Sequence, residues 1–287
     1  MLCSSFRSIL LAVRTQLEWR RGYWLALLLY SLWSVTFTSA DEPPRVLGPS
    51  VRVMSYNIHH GQGMDGKIDL QRIADVILAS KADLVALQEV DNEVNRSGRV
   101  DQVGELARLT GMHGLFGKQI DHGGGEYGQG ILSRYPLTSA KVHLLPGKPE
   151  WEQRIAFSAE VLHPEQTLTF VTTHLNHLSE ENRIEQVEKL NQLEMVWGHP
   201  IIIGGDFNAI PTSPPMMILE KKWTNATAGP SLLTFPADQP NRQIDFILFA
   251  GKDVFEVLKS EVIPEPVASD HRPILVELRV NSKSQWK

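Results

Sequence analysis

Between Val51 and Val280 the hydrophobic period switches repeatedly between strand-like and helix-like, and strand-like runs outnumber helical ones. Adjacent strand-like runs often have no helix between them, so the sheet they form must be mixed rather than wholly parallel. Two sheets packed face to face with helices outside satisfy this count. No internal repeat, charge block or linker interrupts 51–280, which therefore reads as one domain. Val51 and Val53 alternate with Arg52 and Met54 as a strand running into a loop at Asn57. Leu70, Ile73, Ala74 and Ile77 recur at helical spacing behind Asp69, an N-cap residue. A short buried strand is expected at 84–87, and a second helix through Val103, Leu106, Ala107 and Thr110, stopped by Gly111. The glycine-rich stretch 118–130 reads as a surface loop. Further strands are expected at 130–133, 140–145, 154–161 and 168–173. A helix capped by Ser179 should turn Ile184, Val187, Leu190, Leu193 and Trp197 inward, ahead of an apolar strand at 201–203. The proline-punctuated segment 211–243 reads as mostly loop, with Met216 to Leu219 as a short packed helix, and strands at 244–249 and 273–280 close the domain.

The chain has 287 residues, 42% of them hydrophobic, which is enough for a large core and excludes disorder over most of its length. Its one cysteine, Cys3, lies near the N-terminus, so the domain has no internal disulfide and no thiolate metal site. Arg7, Arg14, Arg20 and Arg21 precede an apolar run from Tyr23 to Phe37, followed by Thr38, Ser39 and Ala40. This pattern reads as a secretory signal peptide over 1–40, cleaved after Ala40, with an uncleaved membrane anchor as the rival reading. The paired Arg20-Arg21 carries a faint twin-arginine character. A short linker at 41–50 and a tail at 281–287 flank the domain, and an exported protein, periplasmic or extracellular, is expected. Without residues 1–40 the chain has 24 basic against 32 acidic residues, a net charge of -8. That balance argues against binding nucleic acid by bulk charge, although a metal cation can still recruit a phosphate locally.

The polar residues that resist a structural explanation share one setting, the ends of apolar strands. Asn57 follows a strand, as do Glu89, His174, Asp206 and Asn208, while Asp270 and His271 precede the last one. Loops at strand ends are where sites are built. A lone Glu89 would read as the first solvated residue of a loop. Gly204-Gly205 lets the chain turn sharply after a run of isoleucines and places Asp206 and Asn208 on one side. Asp245 sits among Ile244, Phe246 and Ile247, a costly place for a carboxylate without a partner. A carboxylate holding a histidine is a common way to make a base, so Asp245 is predicted to orient His271. His174 has two readings, a core histidine satisfied by backbone or a donor facing a phosphoryl oxygen. His177, His59 and His60 read as loop residues of lower value, with metal ligation by these histidines the minor reading because oxygen ligands are more plentiful. Asn, Asp and Glu ligands without cysteine suit a hard cation, Mg²⁺ or Mn²⁺.

In order along the chain, the segments MSYNI (54–58), LQEV (87–90), YGQGILSRYP (127–136), TTHL (172–175), GGDFN (204–208), IDFI (244–247) and SDHRP (269–273) resemble the endonuclease/exonuclease/phosphatase superfamily, the proteins with the DNase I-like fold. The resemblance spans nearly all of 51–280. It implies a four-layered α/β/β/α sandwich, with the site at one edge of the paired sheets, and metal-dependent hydrolysis of a phosphoester. By matching positions, Glu89 is the principal metal ligand, with Asn57 beside it and Asp270 near the same cation. Asp206 and Asn208 hold and polarise the attacking water or the phosphate. His271, paired with Asp245, corresponds to the acid/base histidine, His174 to the residue that stabilises charge on the phosphoryl oxygens, and Tyr127 to a phosphate contact. The division of base and electrophile among Asp206, His174 and His271 stays open. Gln129-Gly130 departs from the Asn-Ala of many members, which puts the substrate contact of Gln129 in question. Arg154 resembles an arginine that clamps phosphate, with a strand-end salt bridge as the equal alternative.

Three functions follow. The first is a secreted phosphodiesterase, in which water attacks phosphorus directly, acting on nucleic acid, a phospholipid head group or another small diester. The second is a phosphomonoesterase on sugar or inositol phosphates. The third, a catalytically silent binding module, would have lost some of Glu89, Asp206, Asn208, Asp270 and His271, and all are present. Lys118 opposed by Asp121 and Glu126 makes a poor phosphate track for a nuclease. No stable protein partner is expected, and the chain should act as a monomer.

Overall fold

The computed structural model describes residues 50–193, 199–229, 232–251 and 253–281. The expected export segment and most of the linker and tail, together with Trp197, lie outside these residues. The chain begins with β1 (Ser50–Asn57), α1 (Leu70–Ser80), β2 (Leu84–Asn92) and α2 (Gln102–Thr110), then β3 (His113–His122), β4 (Gly125–Ser133), β5 (Leu137–Leu144) and β6 (Ile155–Leu162). It continues through β7 (Thr167–His174), α3 (Glu180–Leu193), β8 (Ile201–Asp206), α4 (Pro214–Leu219) and β9 (Thr224–Asn225), ending with β10 (Asp245–Ala250), β11 (Phe255–Val262) and β12 (Ile274–Val280).

The strands form two six-stranded mixed sheets, ordered β11-β12-β1-β2-β4-β3 and β5-β6-β7-β8-β10-β9. In each, one parallel pair, β1 with β2 or β7 with β8, is joined by a helix that covers the outer face. Side chains alternate across a strand, and the alternation sorts the core into three layers. Val53, Ala86 and Val276 meet Phe157, Phe170, Ile202 and Ile247 between the sheets. Met54, Val85 and Leu87 pack outward on Ile73, Ile77 and Leu106 of the helices. Val171, Ile201, Ile203 and Phe246 pack on Val187, Leu190 and Met216 on the opposite side. The fold is the four-layered α/β/β/α sandwich expected from the sequence.

Helix ends follow local chemistry. Asp69 accepts from the Arg72 backbone N–H at 3.0 Å, and Ser179 Oγ from that of Asn182 at 3.2 Å. Gly111 ends α2 at φ 69°, where other residues are strained.

Three expectations are corrected. The stretch 118–130 is a hairpin of β3 and β4, not a surface loop. A side chain at Gly117 would collide with the Phe157 ring, and one at Gly128 with the Gly117 carbonyl, so these glycines mark close packing. Gly204 and Gly205 lie within β8 and make no turn. A Cβ at Gly204 would come within 2.9 Å of the Ala86 Cβ across the sheets, so glycine there allows the sheets to approach. Strand β2 runs on to Asn92 through a register shift between Leu87 and Val90. Strands β9 and β11 were not apparent in the sequence.

Candidate active site

The site continues the inter-sheet layer. Along β1 the inward residues run Val51, Val53, Ser55, Asn57, and along β7 they run Leu168, Phe170, Thr172, His174. On β8 Ile202 is followed by Gly204 and Asp206, and on the antiparallel β10 Phe249 and Ile247 lead to Asp245. Each strand passes from apolar to polar on its inner face, in the same direction across the interface. A polar layer marks the change, with Gln88 Nε2 donating to Thr172 Oγ1 at 3.0 Å and Thr172 Oγ1 to the Leu87 carbonyl at 3.1 Å.

The polar ends converge on one atom, Asp206 Oδ2. Asn57 Nδ2 lies 3.2 Å away, His174 Nε2 3.4 Å and His271 Nε2 3.6 Å. The other ring nitrogen of His271, Nδ1, is 2.9 Å from Asp245 Oδ2. Asp245 thus holds His271 with Nε2 aimed at Asp206, in the relation expected from the sequence. Phe235, from the segment read as loop, packs at a tilt against the His271 ring with centroids 4.7 Å apart. Asn208, at φ 48°, donates its backbone N–H to Asp206 Oδ1 at 2.9 Å and its amide to the Leu175 carbonyl at 3.0 Å, so it clamps Asp206 in place.

Burial sets the protonation of this group. Desolvation, reinforced by Asp245 and opposed by His271, raises the Asp206 pKa to about 7. Burial pulls His271 down, but the charges of Asp245, Asp206 and Asp270 and the bond to Asp245 outweigh it and lift the pKa to about 10. The shared proton therefore rests on His271. Burial, Arg154 and His271 hold His174 well below its ordinary value, so it is a neutral imidazole.

Glu89 presents a different environment. It occupies the β2 bulge at φ 58°, half-exposed, where two residues of one strand oppose one of the other and a side chain is re-aimed. Asn57 Nδ2 donates to its Oε1 at 3.0 Å as well as to Asp206. Among the described residues no cationic side chain pairs with Glu89, because neighbouring Arg96 is bidentate to buried Asp91 at 2.9 and 2.8 Å. A half-buried carboxylate without a cation, beside a second whose proton affinity is raised, fits a divalent ion held by oxygen donors. Asp270 stands apart from the tightest clusters; the neighbouring Ser269 Oγ donates to the Asn57 carbonyl at 2.7 Å and fastens this loop to β1.

Arg154 is 3% exposed, its Nη1 is 3.2 Å from Glu152 and its Nη2 3.3 Å from His177 Nδ1, yet Nε has no partner. The salt-bridge reading of Arg154 is thus what the side chain shows, with hydrogen-bonding capacity to spare at Nε. Tyr127 is nearly buried under the Arg96 guanidinium, 5.5 Å from its ring, and burial, then Glu89 and Glu152, raise its pKa. Gln129 is corrected: it is fully buried and donates to Gln119 Oε1 at 3.1 Å, so it supports the sheet interface and does not face substrate. The sequence undervalued His59 and His60, whose rings adjoin Glu89, and His177, which holds Arg154. Adjacency to Asn57 was the available signal for the first pair; nothing local marks Phe235.

A sequence model described as the Endonuclease/Exonuclease/phosphatase family matches residues 54–271. Escherichia coli (strain K12) YbhP, itself uncharacterized, is 24% identical over 248 residues, 80% of this chain and 97% of that protein. Among solved structures, an endonuclease/exonuclease/phosphatase from Beutenbergia cavernae superposes with a TM-score of 0.66 at 24% identity, covering 81% of this chain and 72% of that one. The Bacteroides thetaiotaomicron mannosyl-6-phosphatase Bt3783 does so with a TM-score of 0.65 at 19% identity, covering 79% and 99%.

Proposed function

The chain belongs to the endonuclease/exonuclease/phosphatase family, whose members are hydrolases acting on phosphoester bonds, and on that premise we propose an exported, metal-dependent phosphodiesterase in which water attacks phosphorus directly. The observation that carries this reading is the convergence of Asn57, His174 and His271 on Asp206 Oδ2. Asp206 takes the proton of the attacking water, since a base with affinity near neutrality is matched to that task. His271, oriented by Asp245, gives its proton to the leaving oxygen. His174 and Arg154 face the phosphoryl oxygens as fixed donors, offsetting charge that develops in the transition state. Glu89, its carboxylate oriented by Asn57 Nδ2, would hold the divalent cation, Mg²⁺ or Mn²⁺, which would supply charge neutralisation at phosphorus. No side chain is required as a covalent nucleophile.

A monoanionic diester suits the charge on hand. Arg96 is committed to Asp91 and Lys118 to Asp121 and Glu126, while Arg154 lies near enough to His174 to depress its proton affinity and keeps Nε unpartnered. The phosphomonoesterase reading keeps its place because a phosphatase shares the fold. The deciding measurement compares bis-p-nitrophenyl phosphate with p-nitrophenyl phosphate in Mg²⁺ or Mn²⁺, with a chelator and His271→Ala as controls. Diester turnover abolished by both controls is expected; a preference for the monoester would transfer the assignment to a phosphatase. Export is read from 1–40, and recovery of mature protein beginning at Asp41 outside the cytoplasm is its test.

A further inference from the structure

Next to the hydrolytic group lies a second cluster of ligand-type side chains. His59, His60 and Glu89 each offer one donor atom, and the three atoms lie within 4.8 Å of one another. The imidazoles meet edge to face, with centroids 4.4 Å apart. Their hydrogen bonding leaves lone pairs free. His59 Nδ1 is 3.2 Å from the Gln62 carbonyl, which can only accept, so Nδ1 carries the proton and Nε2 the lone pair. His60 is 8% exposed and its Nδ1 is buried without a partner.

The backbone around these residues is pinned from several sides. Asn57 Oδ1 accepts the His59 N–H at 3.1 Å, Gln102 Nε2 donates to the His60 carbonyl at 2.7 Å, and the Ile58 N–H donates to the Gln88 carbonyl at 3.1 Å. His59, His60 and Glu89 sit on left-handed backbone, at φ 46°, 47° and 58°. Fixing the outer ring nitrogen of a histidine to a carbonyl is how metal-ligating imidazoles are commonly oriented.

We propose that His59, His60 and Glu89 bind one borderline first-row transition cation, of the Mn²⁺, Co²⁺ or Zn²⁺ class, in preference to Mg²⁺. Two imidazoles and one carboxylate are a donor set that such ions accept and Mg²⁺, which demands oxygen, does not. Three protein ligands leave coordination positions open toward the phosphoester site. The proposal shares Glu89 with the function proposed above, but it is read by binding rather than turnover, so either can fail alone.

The test uses full-length, untagged, metal-free protein titrated with Co²⁺ and Mg²⁺ by equilibrium dialysis, with the visible spectrum of bound Co²⁺ reporting nitrogen ligation. One Co²⁺ should bind at least tenfold more tightly than Mg²⁺, with a spectrum showing imidazole ligands. His59→Asn and His60→Asn should each weaken Co²⁺ at least tenfold and alter that spectrum, because asparagine tolerates the left-handed backbone while removing the imidazole. His60→Gly is a second variant compatible with the same φ. His271→Ala should leave the Co²⁺ spectrum intact. Wild-type Co²⁺ binding in all the His59 and His60 variants would overturn the proposal. So would a spectrum lost only in His271→Ala, which would move the cation to the Asp206, Asp245 and His271 cluster. Tight Co²⁺ binding without phosphoester hydrolysis would support this site and count against the proposed function instead.

Discussion

The two sheets have the same plan and opposite electrostatics. Each has a parallel central pair, β1 with β2 or β7 with β8, flanked by antiparallel strands and bridged by one helix. Asn57 ends β1 opposite Gln88 of β2, one residue before the bulged Glu89, whereas His174 ends β7 opposite Asp206 of β8 itself. The sequence shows no repeat, so the correspondence lies in topology alone. In the first sheet the acid sits half-exposed on a bulge, flanked by neutral donors and free of any cationic side chain among the described residues. In the second it is 2% exposed and faced by two histidines. The same scaffold therefore makes one carboxylate available to a cation from outside and the other a partner for protons.

If that division holds, the two acids should fail differently. Asp206→Asn should lower kcat by about a thousandfold or more, within the range for losing a positioned base, with no recovery in added metal. Glu89→Gln should also lose activity, but part of it should return as Mn²⁺ is raised in steady-state assays. Identical metal responses would break the comparison.

Asp245→Asn should reduce kcat by about a hundredfold, since it removes the group that holds His271 and favours its charge. KM should change little, because Asp245 does not face substrate, and a rise in KM at constant kcat would contradict that role.

Protonation of His271 sharpens the contrast further. Its folded pKa of about 10 lies above the ordinary 6.5, so the stability it contributes is fully present below pH 6.5 and is lost as pH rises through about 10. Imidazole resonances followed by NMR in a chelator should titrate near that value, and Asp245→Asn should bring it down. Titration near 6.5 in both proteins would remove the proton-holding half of the comparison.

The smallest effect is expected at Arg154. Arg154→Lys keeps the charge but loses the planar fork, and KM should rise about tenfold with kcat nearly unchanged. An unchanged KM would leave Arg154 as the partner of Glu152 and His177 alone.

Much of the site was legible because its residues break local rules. An Asp among isoleucine and phenylalanine, as at Asp245, and an acid behind Ile201 to Ile203, as at Asp206, demand partners that a strand cannot supply by itself. Glycine was harder to read. At Gly117, Gly128 and Gly204 it serves close packing, and packing partners such as Phe157 and Ala86 are remote in sequence. Strand β11 escaped notice because its middle residues are exposed at the sheet edge, so burial did not impose a pattern. Glu89 was found, but its bulge was not, since a bulge depends on the register with β4.

The layered α/β architecture, the family and the polar residues that follow apolar strands can be read along the chain, because hydrophobic period and residue chemistry are local properties. That Asn57, His174 and His271 share one oxygen of Asp206, that Gln129 turns inward, and that His59 and His60 stand beside Glu89 emerge from the packed fold alone. Those facts depend on how far two sheets approach and where a strand slips by one residue, and distances of that kind are fixed by packing between segments far apart in the chain.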